Sequence, residues 1–138
     1  MDQKTRMLSG VPLFSRLRGS ALEQVASLTD EVDVKAGTEL THEGRSGGEF
    51  FVIIDGTVEV RRGGELVRTL GPGDFLGEIA LIDGGPRSAT ATTTTPSRLL
   101  VLTSTEFHTL IADQAEVRLC VLQALAERVR NLDAHAGH

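Results

Sequence analysis

Cysteine occurs once in this chain, at Cys120, which excludes an internal disulfide framework and fits a reducing, cytoplasmic setting. Long apolar runs are missing as well. None approaches the roughly 20 residues needed to cross a bilayer, so no membrane association is expected. The opening MDQKTRMLSG is charged and lacks the apolar stretch of a secretory signal. There is no basic excess: the formal net charge is -5, which counts against a dedicated nucleic-acid binder with its basic face. It does not count against a small anionic ligand, because a pocket needs only one or two local cations. No Ser-His-Asp, Cys-His or paired-carboxylate arrangement stands out, so no catalytic residue and no enzymatic activity are expected. No repeat and no long linker divides the 138 residues, and that length suits one domain, 1–138, with a small core.

What is present changes character along the chain. Residues 19–30, GSALEQVASLTD, read as a short amphipathic helix, with Ser20 as cap, Glu23 completing a capping box and Leu22, Val25, Ala26 and Leu28 at helical spacing. From 31 to 103, β-prone runs alternate with glycine-rich turns: EVDV, EFFVIIDG, TVEVRRGG, ELVRTLGPG, RSATATTTTP and SRLLVLT. Gly63-Gly64 reads as a two-residue hairpin turn. The threonine run reads as a strand with alternate side chains in water, ended by Pro96. From Ser104 the period becomes helical. One short helix is expected around Phe107 to Ile111, and a longer one over AEVRLCVLQALAERVRNLDAHA. The longer one carries Val117, Cys120, Val121, Leu125 and Val129 on one stripe, with Arg118, Arg128 and Arg130 outside it, and is expected to fray from about Asp133. The fold class is therefore α+β: a β block flanked by N-terminal and C-terminal helices.

The stretch GEIALIDGGPRSATAT, residues 77–92, interrupts the β block. Its EIALID segment reads as one helical turn, opened by Gly77 and ended by Gly84-Gly85-Pro86. Free N–H groups at a helix start carry partial positive charge and attract anions. Arg87 adds a planar fork of donors, and Ser88 a hydroxyl and another N–H. Glu78 would repel a phosphate, but it can accept from hydroxyls of the same ligand, as a ribose would supply. Phosphate on Arg87 and sugar on Glu78 suggest a nucleotide monophosphate. The plainer alternative is that Glu78 and Arg87, nine positions apart, form an ordinary ion pair closing a loop.

FLGEIAL at 75–81 followed by PRSAT at 86–90 resembles the phosphate-binding cassette of cyclic nucleotide-binding domains, the family of the catabolite activator protein, protein kinase A regulatory subunits and cyclic nucleotide-gated channels. GVPLFSRL, GTELTHEGRSGGEFFVIIDGTVEV and GPGDFLGE resemble further parts of it. The resemblance implies an antiparallel, jelly-roll-like β-roll with flanking helices and no cofactor. It implies cAMP as ligand; Ser88 is compatible with cAMP and leaves cGMP open. By the same resemblance, Arg87 and Ser88 hold the cyclic phosphate, Glu78 binds the ribose 2′-hydroxyl, and backbone groups of Gly77, Ile79 and Ala80 complete the cradle. Leu81 and Phe107 match the family's switch positions, though both also suit plain core residues. Arg128 matches a lid arginine of some bacterial members, though a solvated helix arginine is the plainer reading of its place.

The function expected is a sensing module that signals through its C-terminal helices to an effector the chain does not itself contain. The alternative is a small β-barrel metal protein or enzyme of cupin-like shape. That would want His-x-His with a nearby acid, and His42-Glu43 alone does not supply it, nor do His108, His135 and His138. No metal is expected.

Overall fold

The computed structural model describes residues 2–136, with side chains to residue 133. The chain opens with helix α1 (Gln3–Ser9), whose cap Asp2 accepts the Thr5 N–H at 2.7 Å. A single 3₁₀ turn (Pro12–Phe14) and α2 (Gly19–Ser27) follow. Eight strands come next: β1 (Asp30–Val34), β2 (Glu39–Thr41), β3 (Glu49–Asp55), β4 (Val58–Arg62), β5 (Glu65–Leu70), β6 (Phe75–Leu76), β7 (Thr90–Thr93) and β8 (Ser97–Thr103). The short helix α3 (Glu78–Asp83) sits between β6 and β7; α4 (Ser104–Asp113) and α5 (Ala115–Ala136) close the chain.

The strands form two antiparallel four-stranded sheets, ordered β1-β8-β3-β6 and β2-β7-β4-β5. The first is covered on both faces, which is why β3 reads as the unbroken apolar run FFVII and not as an alternating strand. Phe50 and Val52 with Leu100 and Leu102 face the helices, in one cluster with Phe14, Leu81, Phe107, Val117 and Val121. Phe51, Ile53 and Leu99 face the second sheet, against Val58, Leu70 and Ala91. The Phe14 ring centroid lies 6.1 Å from those of both Phe50 and Phe107, tying the N-terminal turn, the sheet and α4 together. β5 is the outer strand of the second sheet and is exposed from Glu65 to Thr69.

The α+β β-roll with flanking helices is the fold expected from the sequence. The Gly63-Gly64 turn joins β4 to β5 with φ values of 60° and 85°, the left-handed pair that a tight hairpin needs. Four expectations are corrected. α2 is entered from Arg18, in extended backbone, and starts at Gly19; Ser20 lies inside the first turn and caps nothing. The threonine strand ends at Thr93, ahead of Pro96, with Thr93 itself buried and bonded to Lys35 and Thr38. The α5 stripe is buried at Val117 and Val121, but Val129 is 58% exposed because the helix runs past the body it packs on. α5 also keeps its helical backbone through Ala136, beyond the expected fraying point; residues 137 and 138 lie outside the described ones.

Candidate functional site

The site is built on the break between β6 and β7. β6 pairs with β3 and ends at Gly77, whose φ of 88° turns the chain sharply into α3. The first helical bond is Leu81 N–H to Gly77 C=O at 2.9 Å, so the N–H groups of Glu78, Ile79 and Ala80 precede the helical ladder. Gly84 closes the helix with φ 63°, its N–H returning to the Ala80 carbonyl. Pro86 then bridges to Ser46, and Arg87 exchanges backbone bonds with Arg45 and Gly44 at 2.9 Å each. Thr41 on β2 fastens the following turn: its hydroxyl donates to the Ala89 carbonyl and accepts the Ala91 N–H.

This frame buries Arg87, which is only 8% exposed. Its side chain runs between two glycines. A Cβ on Gly77 would sit 2.7 Å from Arg87 Nη1, and one on Gly47 3.0 Å from Nε. Nη2 donates to the Glu49 carbonyl at 2.7 Å, while Nε and Nη1 are buried with no partner. Burial pushes the guanidinium below its ordinary pKa, against the charge of Glu49, which favours the cation. A buried cation with two donors to spare is suited to hold an anion.

Glu78, 5% exposed, is not its partner. Its Oε2 accepts the Leu13 N–H at 3.1 Å, and its Oε1 pairs with Arg128, whose side chain reaches in from α5 and is 46% exposed. The loop-closing Glu78–Arg87 ion pair is therefore not made. Gly77, Glu78, Ile79, Ala80, Arg87, Ser88 and Arg128 line one cavity of about 530 Å³, whose far wall is formed by β4 and β5. Arg62, Arg68, Arg87 and Arg128 outnumber Glu78 and Asp83 along it, so the cavity is cationic in a chain that is anionic overall. The arrangement can hold one small anion at Arg87 and α3, with an apolar and aromatic wall beside it: Val60, Val67, Leu70 and Phe75.

The model of the cyclic nucleotide-binding domain matches residues 31–114, which takes in both sheets, the cassette and α4. The chain belongs to the cyclic nucleotide-binding domain family. A cyclic nucleotide-gated potassium channel of Rhizobium etli is 34% identical over 123 residues, covering 89% of this chain and 34% of the channel. A CRP-like cAMP-activated global transcriptional regulator of Mycobacterium tuberculosis is 32% identical over 129 residues, covering 90% of this chain and 58% of the regulator. The chain thus spans between a third and three-fifths of the length of these relatives. Among solved structures, the N-terminal domain of a transcriptional regulator from Streptomyces coelicolor superposes with a TM-score of 0.86 at 30% identity, covering 93% of this chain and 95% of that one.

Leu81 and Phe107, expected at switch positions, are both fully buried in one cluster, where α3 meets α4. A polar tie joins the same two elements: His108 on α4 lies 2.7 Å from the carbonyl of Ile82 on α3. The pocket also holds residues that the sequence pattern does not single out. Arg62 donates to the Ser88 carbonyl at 3.1 Å, and Arg68 projects from β5. Glu49 contributes through its backbone oxygen, which any residue would supply, so no sequence signal marks it. Gly47 does leave a trace, as half of an unexplained double glycine in RSGGEF. Among the described residues no group of three or more His, Cys, Asp or Glu side chains gathers to hold a metal. His42 pairs with Glu39, while the His135 side chain and His138 fall outside the described set. No described helix is long and apolar enough to cross a membrane.

Proposed function

We propose that the chain is a sensing and regulatory module that binds a cyclic nucleotide, cAMP in the first instance, without chemistry on it. The observation that carries this reading is Arg87: a buried guanidinium holding two donors without partners, at the start of α3. A singly charged cyclic phosphate supplies the acceptors that Nε and Nη1 lack, and Ser88 and the N–H groups of Ile79 and Ala80 share the load. The ribose then falls toward Glu78, and the base against the apolar wall of β4 and β5. The name of the mycobacterial relative, a cAMP-activated regulator, favours the adenine nucleotide over cGMP. The output is a change in α4 and α5, passed to an effector protein or domain.

Calorimetric titration of cAMP and cGMP tests the reading, with Arg87→Ala as the control. Losing this charge-assisted contact to a buried phosphate should cost roughly 2–5 kcal/mol of binding, while the circular dichroism spectrum stays native. Unchanged cAMP affinity in a folded Arg87→Ala protein would falsify it.

A further inference from the structure

Ser88 and Ala89 form a bend between two fixed points of the backbone. Before them, Arg87 is bonded to Gly44 and Arg45; after them, β7 begins at Thr90. Side chains hold the carbonyls of this bend. Thr41, buried on β2, donates to that of Ala89 at 3.0 Å. Arg62 donates through Nε to that of Ser88 at 3.1 Å. Arg62 is the last residue of β4 and lines the cavity together with Val60, two positions before it. Its bond therefore crosses from the far wall of the cavity to the anion side.

A long, exposed arginine is a poor anchor unless something holds it in turn. The tip of the β4–β5 hairpin does so. Gly63, the next residue, donates its N–H to Glu43 Oε1 at 2.9 Å, and the Glu43 N–H goes to Thr90 Oγ1 at 2.9 Å. These bonds close a ring that runs from Ser88 through Arg62, Gly63, Glu43 and Thr90 back to Ser88. The peptide group is planar, so a fixed Ser88 oxygen fixes the frame from which Ser88 presents its hydroxyl. Glu43 itself lies outside the cavity wall and has no contact to offer a ligand.

We infer that Arg62 is a positioning residue of the anion site: it pins the Ser88 carbonyl from the opposite wall, and Glu43 holds it there through the Gly63 N–H. The inference rests on the reading that Arg87 and Ser88 hold a cyclic phosphate. A bend already held in place does not have to be ordered by the ligand, and that saving appears as affinity. Charge and positioning make opposite demands at Glu43. Removing an acid from the neighbourhood of an anion site tightens binding on charge grounds alone. Removing a support of Arg62 weakens it.

The test is cAMP titration of the natural chain, Arg62→Ala, Glu43→Ala, Glu43→Gln, Ser88→Ala and the double variant Arg62→Ala/Ser88→Ala, with amide hydrogen exchange over residues 87–91. Arg62→Ala should bind cAMP about three- to tenfold more weakly, the worth of one hydrogen bond. Glu43→Ala should weaken binding in the same direction, and Glu43→Gln, which keeps an acceptor for Gly63, should restore it. In the Ser88→Ala background, Arg62→Ala should cost little more, because its effect passes through Ser88. Natural affinity in Arg62→Ala overturns the inference. So do losses that add in full in the double variant, which would make Arg62 a direct contact, and so does a Glu43→Ala protein that binds more tightly. If the natural chain binds no cyclic nucleotide, the functional reading falls. Exchange without ligand still decides the pinning separately: faster exchange over 87–91 in Arg62→Ala supports it, and an unchanged rate overturns it.

Discussion

At the scale of single residues, Arg87 fits its place because two positions, Gly47 and Gly77, have no side chain. Gly77 holds φ at 88°, and a Cβ there would lie 2.7 Å from both Arg87 Nη1 and the Glu49 carbonyl. The arginine tip could bend away, but the backbone oxygen of β3 cannot. Gly77→Ala should therefore cost about 1–2 kcal/mol from the left-handed backbone alone, more from the clash. It should also misplace Arg87. Urea unfolding and cAMP titration on the same protein check this, and a variant with native stability and affinity would show that the glycine is dispensable. The motif GE…PRS singles out Gly77, Glu78, Arg87 and Ser88 in the sequence, and the structure brings all four to one cavity. The roles of Glu49 and Leu13 were not legible, because they act through backbone atoms that every residue carries.

At the scale of elements, legibility followed length and exposure. β3 and β8 declare themselves as apolar runs. β2 and β6, with three and two residues, are too short for any period to show. α1 buries only Thr5 and Leu8 and presents no stripe, so QKTRMLS passes for a polar leader. The reading of α2 failed in an instructive way: Ser20 and Glu23 have capping-box spacing, yet the helix begins one residue earlier, at Gly19. A true cap stands at the junction of β8 and α4. Thr103 accepts the Glu106 N–H at 3.3 Å and donates to the Glu106 carboxylate at 3.0 Å. Thr103→Ala should lower stability by about 1 kcal/mol, measured by urea unfolding. Because α4 carries Phe107 and His108 against the cassette, the same change should loosen that junction while leaving the phosphate contacts intact.

At the scale of the whole molecule, one sheet serves two cores. β3 and β8 send alternate side chains to the helices and to the second sheet, so neither core can open without exposing the other side of the same strands. Amide exchange should be slowest in β3 and β8, near the global unfolding limit, and much faster in the β4–β5 hairpin, whose outer strand is exposed. Uniform protection across both sheets would count against this division. Under the proposed function, in which α4 and α5 carry the response, both lean on a wall that does not yield.

The outer edge of β5 has a consequence for many copies of the chain together. Its backbone faces solvent along one side, and Leu66 and Val67 are 49% and 47% exposed, which is the template for strand addition and aggregation. Charge is what guards it: Glu65 and Arg68 bracket the apolar pair, and Arg61 and Arg62 follow on the neighbouring strand. Arg68 is therefore a gatekeeper of solubility as well as a pocket residue. An apolar substitution there, made to grip a flat base more firmly, would extend the exposed run to Leu66-Val67-68 on an open edge. Base affinity gained on that strand would come at the expense of the concentration at which the protein stays dispersed.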